Sequence, residues 1–173
     1  RDASPNAKVG LFLRPCELRA VVELIKLKQV APDSLVLIGA DCAGTYKAAG
    51  FRNVRGKDAD FDNKHVREQS GYAENVNFRV ACQMCEYPKP LVFDLNVGFI
   101  GMDADTELWV EAATDKGKGL VEGLELNAQD EPDKRKKALE GLSAARKATT
   151  AKRIEELDKA MMGPEKLVEY FSD

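Results

Sequence analysis

Four cysteines constrain this chain more than any other feature: a C-x-x-C pair at Cys82 and Cys85, and two single thiols at Cys16 and Cys42. Each single thiol follows an apolar run that reads as a β-strand, residues 9–13 before Cys16 and residues 35–39 before Cys42. In a chain of 173 residues, four cysteines are too few for a disulfide scaffold, and a core of this size needs no staples. Thiols in this pattern bind metal or do redox work in a reducing cytosol. A metal centre, first of all an iron–sulfur cluster, is the leading expectation, and a cytoplasmic location goes with it.

Between the two single cysteines the pattern turns helical. Leu18, Val21, Val22, Ile25 and Leu27 fall largely on one side, which predicts a helix over residues 15–29. Pro15 suits its first turn, where a missing N–H costs nothing. Ala31-Pro32-Asp33-Ser34 then makes a turn into the second strand. The result is a β–α–β unit with parallel strands and a right-handed crossover. Cys16 and Cys42 therefore lie past the carboxyl ends of parallel strands, the edge at which open α/β sheets place their sites. Cys16 also falls in a first helical turn, whose dipole favours a thiolate. Ala43-Gly44-Thr45 lets the backbone approach closely behind Cys42.

Downstream the signals are coarser. Residues 51–77 are polar and read as loops with a short helix, and His65 within them reads as a surface residue rather than a ligand. Residues 77–81 are predicted to form a strand leading into the C-x-x-C pair, with Pro88 and Pro90 precluding a helix after it. Residues 95–100 and 107–112 are further strands, and 117–126 a short helix. From 132 to 162 the chain is rich in Lys, Arg, Glu, Ala and Leu, predicting one long amphipathic helix or two, most simply a solvated one. Gly163-Pro164 ends it, and a last helix begins over 165–171. The fold class is α/β, a mixed or parallel sheet with flanking helices and an α-helical C-terminal extension. It divides into an α/β iron–sulfur domain (1–127) and a helical extension (128–173). Because the chain stops at Asp173 just after an apolar helical turn, a missing downstream segment is expected.

A net charge of −3 gives no general pull toward nucleic acid. No apolar stretch approaches the roughly 18 residues of a membrane span.

C-x-x-C alone serves zinc knuckles, thioredoxin-type sites and iron–sulfur clusters. Zinc modules usually pair two such knuckles, and a thioredoxin-type site opens a helix. Iron–sulfur ligation tolerates scattered cysteines with a proline soon after the pair. A structural zinc site in a non-catalytic assembly module stays as the alternative. Arg14, Arg19 and Arg79 stand within three residues of a cysteine and can offset the charge of a thiolate-bound centre. Nothing reads as a catalytic triad, a carboxylate pair or a Walker loop. Gly117-Lys118-Gly119 with Gly123 is one residue off the dinucleotide fingerprint and leaves room for a flavin or nucleotide phosphate.

Three stretches carry a family likeness: RPCELRAVVELIKLKQ, LVLIGADCAGTY and RVACQMCEYPKPLVFDLNVGFIGMD. They resemble the beta subunits of coenzyme F420-dependent hydrogenases and formate dehydrogenases, with the formate-dehydrogenase-beta-like branch the closer match. The likeness runs from about residue 9 to 126, and ELWVEAATDKGKGL is similar to the strand–loop–helix after the cysteine pair. The resemblance implies an electron-transfer flavoprotein subunit with a 4Fe-4S cluster and a flavin (FAD), whose catalytic formate or hydrogen oxidation lies on a partner subunit of the redox complex. A deazaflavin or a ferredoxin is the implied electron partner. By position, Cys16, Cys42, Cys82 and Cys85 match the cluster ligands, and Asp94 and Gly98 match the acidic and glycine positions of the following motif. Two features depart from the family. Ala113-Thr114 stands where many relatives have Arg-Thr, and no ferredoxin-like C-x-x-C-x-x-C is present.

Overall fold

A computed structural model describes residues 8–55 and 78–160 of the chain. His65 and the helix expected over 165–171 lie outside the described residues. Strand β1 (Val9–Leu13) runs into helix α1 (Pro15–Lys26) with Arg14 as its N-cap and Pro15 at the first helical position. Glu17, three residues into the helix, accepts from the Arg14 backbone N–H at 2.9 Å, satisfying a donor the helix itself cannot use. The apolar side of α1 turns inward. Leu18 is buried against Leu35 and Leu37, with Leu11, Leu13, Val21, Ile25 and Val30 around them. Burial of a leucine such as Leu18 is worth about 1.5–3 kcal/mol.

Helix α1 is shorter than its sequence pattern predicts. The chain leaves it through a Schellman turn, in which Gln29 N–H donates to Leu24 C=O and Lys28 N–H to Ile25 C=O, both at 2.9 Å. Lys28 takes the left-handed conformation this requires, at φ 57°.

Strand β2 (Leu35–Ala40) pairs parallel with β1, Val9 opposite Leu35 through Leu13 opposite Gly39. Strand β3 (Leu95–Gly98) is parallel to β2, and β4 (Trp109–Ala112) is antiparallel to β3. The four strands lie in the order β1-β2-β3-β4, one mixed sheet. The expected α/β class and the parallel β–α–β unit are both present. Gly39 is the point of closest approach on the α1 side: a Cβ there would come 2.7 Å from Pro90 and 3.2 Å from Leu18.

Helix α2 (Ala48–Arg55) follows the Cys42 loop. The strand expected over 77–81 does not form. Phe78 makes an isolated bridge with Tyr46, and residues Val80–Gln83 wind into a one-turn helix, α3. Tertiary contacts override the local β-preference of this stretch. The Arg79 N–H donates to Thr45 C=O at 2.8 Å, and the Gln83 side chain reaches back to Phe78 C=O at 2.9 Å, closing the turn.

After β4, Thr114 caps helix α4 (Asp115–Val121). Residues Asp133–Ala160 form a single long helix, α5. Its inward stripe, Arg135, Leu139, Leu142, Arg146, Thr150 and Arg153, follows helical spacing. Leu142 joins Ala43, Phe78 and Ile100 in a second small core. No helix among the described residues is long and apolar enough to cross a membrane.

Candidate metal centre

All four cysteines line one cavity of about 360 Å³. Three separate pieces of chain deliver them. Cys16 arrives in the first turn of α1, directly after β1, and Cys42 two residues beyond β2. Cys82 sits on α3 and Cys85 just past its end. The two single cysteines thus share the carboxyl edge of the sheet, as the β–α–β pattern implies.

Hydrogen bonds lock the Cys42 loop to the C-x-x-C segment. Cys42 N–H donates to Pro88 C=O at 2.7 Å, and the Thr45–Arg79 bond closes the other side. Gly44, at φ 118°, lets the loop pass over the Phe78 ring, where a Cβ would come 2.5 Å from a ring carbon. Tyr46 stands edge-on to that ring with centroids 4.7 Å apart.

All four thiols are free; Cys16 is exposed and the other three are partly covered. Burial pushes the Cys42 thiol up, while the Gly44 N–H, Arg14 and Arg146 pull the other way. Among the described residues no three His, Cys, Asp or Glu side chains stand close enough to hold a single metal ion.

Cations border the thiols unevenly. Arg14 donates to Glu17 at 2.5 Å and to Thr45 at 2.6 Å. Its guanidinium is held above the usual arginine value by the Glu17 hydrogen bond, with Cys42 and Cys16 adding to it. Arg19 lines the cavity and lies 4.8 Å over the Tyr87 ring. Arg79 is exposed and lines no part of the cavity.

The cation that the sequence pattern hid is Arg146, on α5. It is 1 % exposed and lines the cavity. Its Nη2 donates to Ala43 C=O at 2.7 Å and its Nη1 to Cys85 C=O at 3.2 Å, with Cys42 C=O at 3.5 Å. The same helix face follows the C-x-x-C segment closely. Ser143 donates to Glu86 C=O at 2.9 Å, Thr150 to Met84 C=O at 3.2 Å, and Arg153 to the Gln83 side chain at 3.0 Å.

The remaining positions matched by motif lie away from this cavity. The Asp94 carboxylate accepts from Leu37 N–H at 2.7 Å and from the Thr114 hydroxyl at 2.6 Å. A Cβ on Gly98 would overlap the Arg135 guanidinium, and one on Gly117 the Asp94 carbonyl. Gly119 meets nothing within 4 Å.

No protein-family model matches the chain. Among curated proteins it is similar to the F420-dependent formate dehydrogenase 1 subunit beta of Methanococcus maripaludis, 33% identical over 149 residues. The chain is a homologue of F420-dependent formate dehydrogenase beta subunits. The match covers 69% of this chain and 38% of that protein. The F420-dependent formate dehydrogenase subunit beta of Methanocaldococcus jannaschii is 27% identical over 146 residues, covering 69% of this chain and 37% of its own length. The chain therefore spans less than two fifths of the curated relatives it matches.

Proposed function

We propose that this chain is the cluster-binding part of an electron-transfer subunit in a multisubunit oxidoreductase of the formate dehydrogenase type. One observation carries the reading: four free thiols, from three separate places in the sequence, line one cavity. A 4Fe-4S cluster held by Cys16, Cys42, Cys82 and Cys85 would supply one-electron relay there.

The donor set suits a polynuclear centre better than a lone zinc. Tetrahedral zinc with Zn–S bonds of about 2.3 Å needs sulfurs about 3.8 Å apart. Among the described residues no group of three His, Cys, Asp or Glu side chains is placed to hold a single metal ion. A cubane binds each thiolate to a different iron and spreads the four sulfurs more widely.

The rest of the site prepares for negative charge. Arg14, held by Glu17 and Thr45, stands near Cys42 and Cys16, while Arg19, over the Tyr87 ring, and Arg146 line the cavity. The Cys42–Pro88 and Arg79–Thr45 bonds hold the thiol-bearing loops in register.

A flavin step is not assigned to this segment. Asp94, Gly98 and Gly117 are engaged with Leu37 and Thr114, with Arg135 and with the β3 backbone, leaving Gly119 as the open position of the four. The relatives are named as beta subunits of F420-dependent formate dehydrogenases; on this reading a deazaflavin is the electron partner, and formate oxidation belongs to another subunit. A cytoplasmic location belongs to the same proposal.

Anaerobic purification with iron, acid-labile sulfide and zinc analysis tests the reading. Four irons and four sulfides per chain, with broad absorption in the blue, are expected. One zinc per chain without that absorption would establish the structural-zinc alternative instead.

A further inference from the structure

Helix α5 buries two arginines on one face, and they are treated differently. Arg135, 0 % exposed, forks onto Asp41 at 2.5 and 3.0 Å and reaches Glu131 at 2.9 Å. Arg146, three turns later and 1 % exposed, faces no carboxylate among the described residues. Its acceptors are backbone carbonyls, and its Nε has no hydrogen-bond partner although it is fully buried. A buried charge without a counter-charge is strongly destabilising. Arg146 lines the cavity together with Cys16, Cys42, Cys82 and Cys85.

We infer that Arg146 is the built-in counter-charge of the thiolate-bound centre, a positioning residue that both ties the Cys42 and Cys85 loops together and raises the centre's reduction potential. The inference rests on the cluster reading above and adds a residue that the cysteine pattern does not contain. Three carbonyls from the two loops converge on one planar fork, which a point-charge ammonium cannot reproduce bond for bond. Reduction by one electron adds one negative charge to the centre, and a fixed, buried cation in the cavity wall stabilises that added charge. The electron comes from the subunit's redox partner, or from dithionite in the test.

The test uses the complete chain, purified anaerobically as wild type, Arg146→Gln and Arg146→Lys. Far-UV circular dichroism reports folding, iron and sulfide report loading, and a dithionite titration followed by electron paramagnetic resonance reports the potential. Arg146→Gln is expected to fold, to load less fully and to shift to a more negative potential, with Arg146→Lys restoring most of that shift. A Gln variant that folds without a cluster, beside a Lys variant that loads, supports the same assignment. A loaded Gln variant at the wild-type potential overturns the counter-charge, as do Gln and Lys variants that behave alike. If Arg146→Gln does not fold, the Lys variant decides: loaded near the wild-type potential it supports the inference, and otherwise it overturns it. A wild-type chain without iron and sulfide overturns the cluster reading and the inference with it. A loaded wild type with an indifferent residue 146 overturns the inference alone.

Discussion

Arg135 and Asp41 form a bidentate pair with both side chains wholly buried, joining the start of α5 to the end of β2 across 94 residues of sequence. The same Asp41 carboxylate accepts the Phe99 and Ile100 N–H groups at 3.0 Å, so it also shapes the chain leaving β3. Cys42 is the next residue. The pair therefore sets where one of the four thiols stands.

Removing one partner should be costly. Arg135→Met leaves the Asp41 charge buried and unpaired, and a loss of about 3–5 kcal/mol is expected. Asp41→Asn combined with Arg135→Met should cost less than the single change, because the amide oxygen still accepts from Phe99 and Ile100. Urea unfolding midpoints check this. A single variant within about 1 kcal/mol of wild type, the range of a surface pair, would show that the pair is not an anchor.

Gly98 and Gly119 should respond to alanine in opposite directions. At Gly98 the methyl group meets the Arg135 guanidinium, an overpacking of the kind that costs about 1–3 kcal/mol. At Gly119, inside α4, the methyl meets open space, and the helix gains about 0.4–1 kcal/mol. Thermal or urea unfolding of the two variants separates these roles. Equal effects would mean that Arg135 yields easily.

Lys28 holds a left-handed turn that glycine adopts without strain. Lys28→Gly should stabilise the chain by about 0.5–1 kcal/mol, the relief at the turn exceeding the extra freedom of the unfolded state. The Gln29–Leu24 and Lys28–Ile25 bonds should remain. A destabilised variant in the same unfolding measurement would contradict the Schellman reading.

The legibility of this fold in its sequence was uneven for physical reasons. Val9–Leu13 and the apolar core of β2 announce themselves because buried parallel strands are near-continuous apolar runs. The α1 pattern overran its end because a lysine stands at the left-handed position that glycine usually marks. The segment before Cys82 read as a strand because Phe78 and Val80 favour one. Two hydrogen bonds from Arg79 and Gln83 outweigh that preference. The docking of α5 was the least legible. Its buried stripe holds Arg135, Ser143, Arg146, Thr150 and Arg153, residues that hydrophobic periodicity counts as solvated. The convergence of the cysteines was visible from spacing, but the buried cation beside them was not.

Glu17 gives the α1 terminus a pH dependence of predictable sign. The Arg14 hydrogen bond holds its carboxyl below the ordinary glutamate value. A carboxylate with a depressed folded pKa contributes stability that is present above the unfolded value, about 4.3, and lost as pH falls through the folded one. Both side chains are partly exposed, at 41% and 39%, so the contribution is below about 1 kcal/mol. Wild type should therefore lose slightly more stability than Glu17→Gln on acidification below about pH 4.3. Parallel curves for the two proteins across that range would remove the pair from the account of helix α1.

Cys16 is the sharpest test of the shared site, because it is the exposed thiol and the one furthest in sequence from the C-x-x-C pair. A reading centred on the pair alone makes Cys16 dispensable. A four-ligand centre does not: Cys16→Ser and Cys42→Ser should each lose iron and sulfide as severely as Cys82→Ser or Cys85→Ser. Serine keeps the size of the side chain and removes the soft sulfur ligand, so folding by circular dichroism should stay intact while the blue absorption falls. Full iron content in Cys16→Ser would show that the exposed thiol borders the centre without holding it, and that its place at the end of β1 serves the helix rather than the metal.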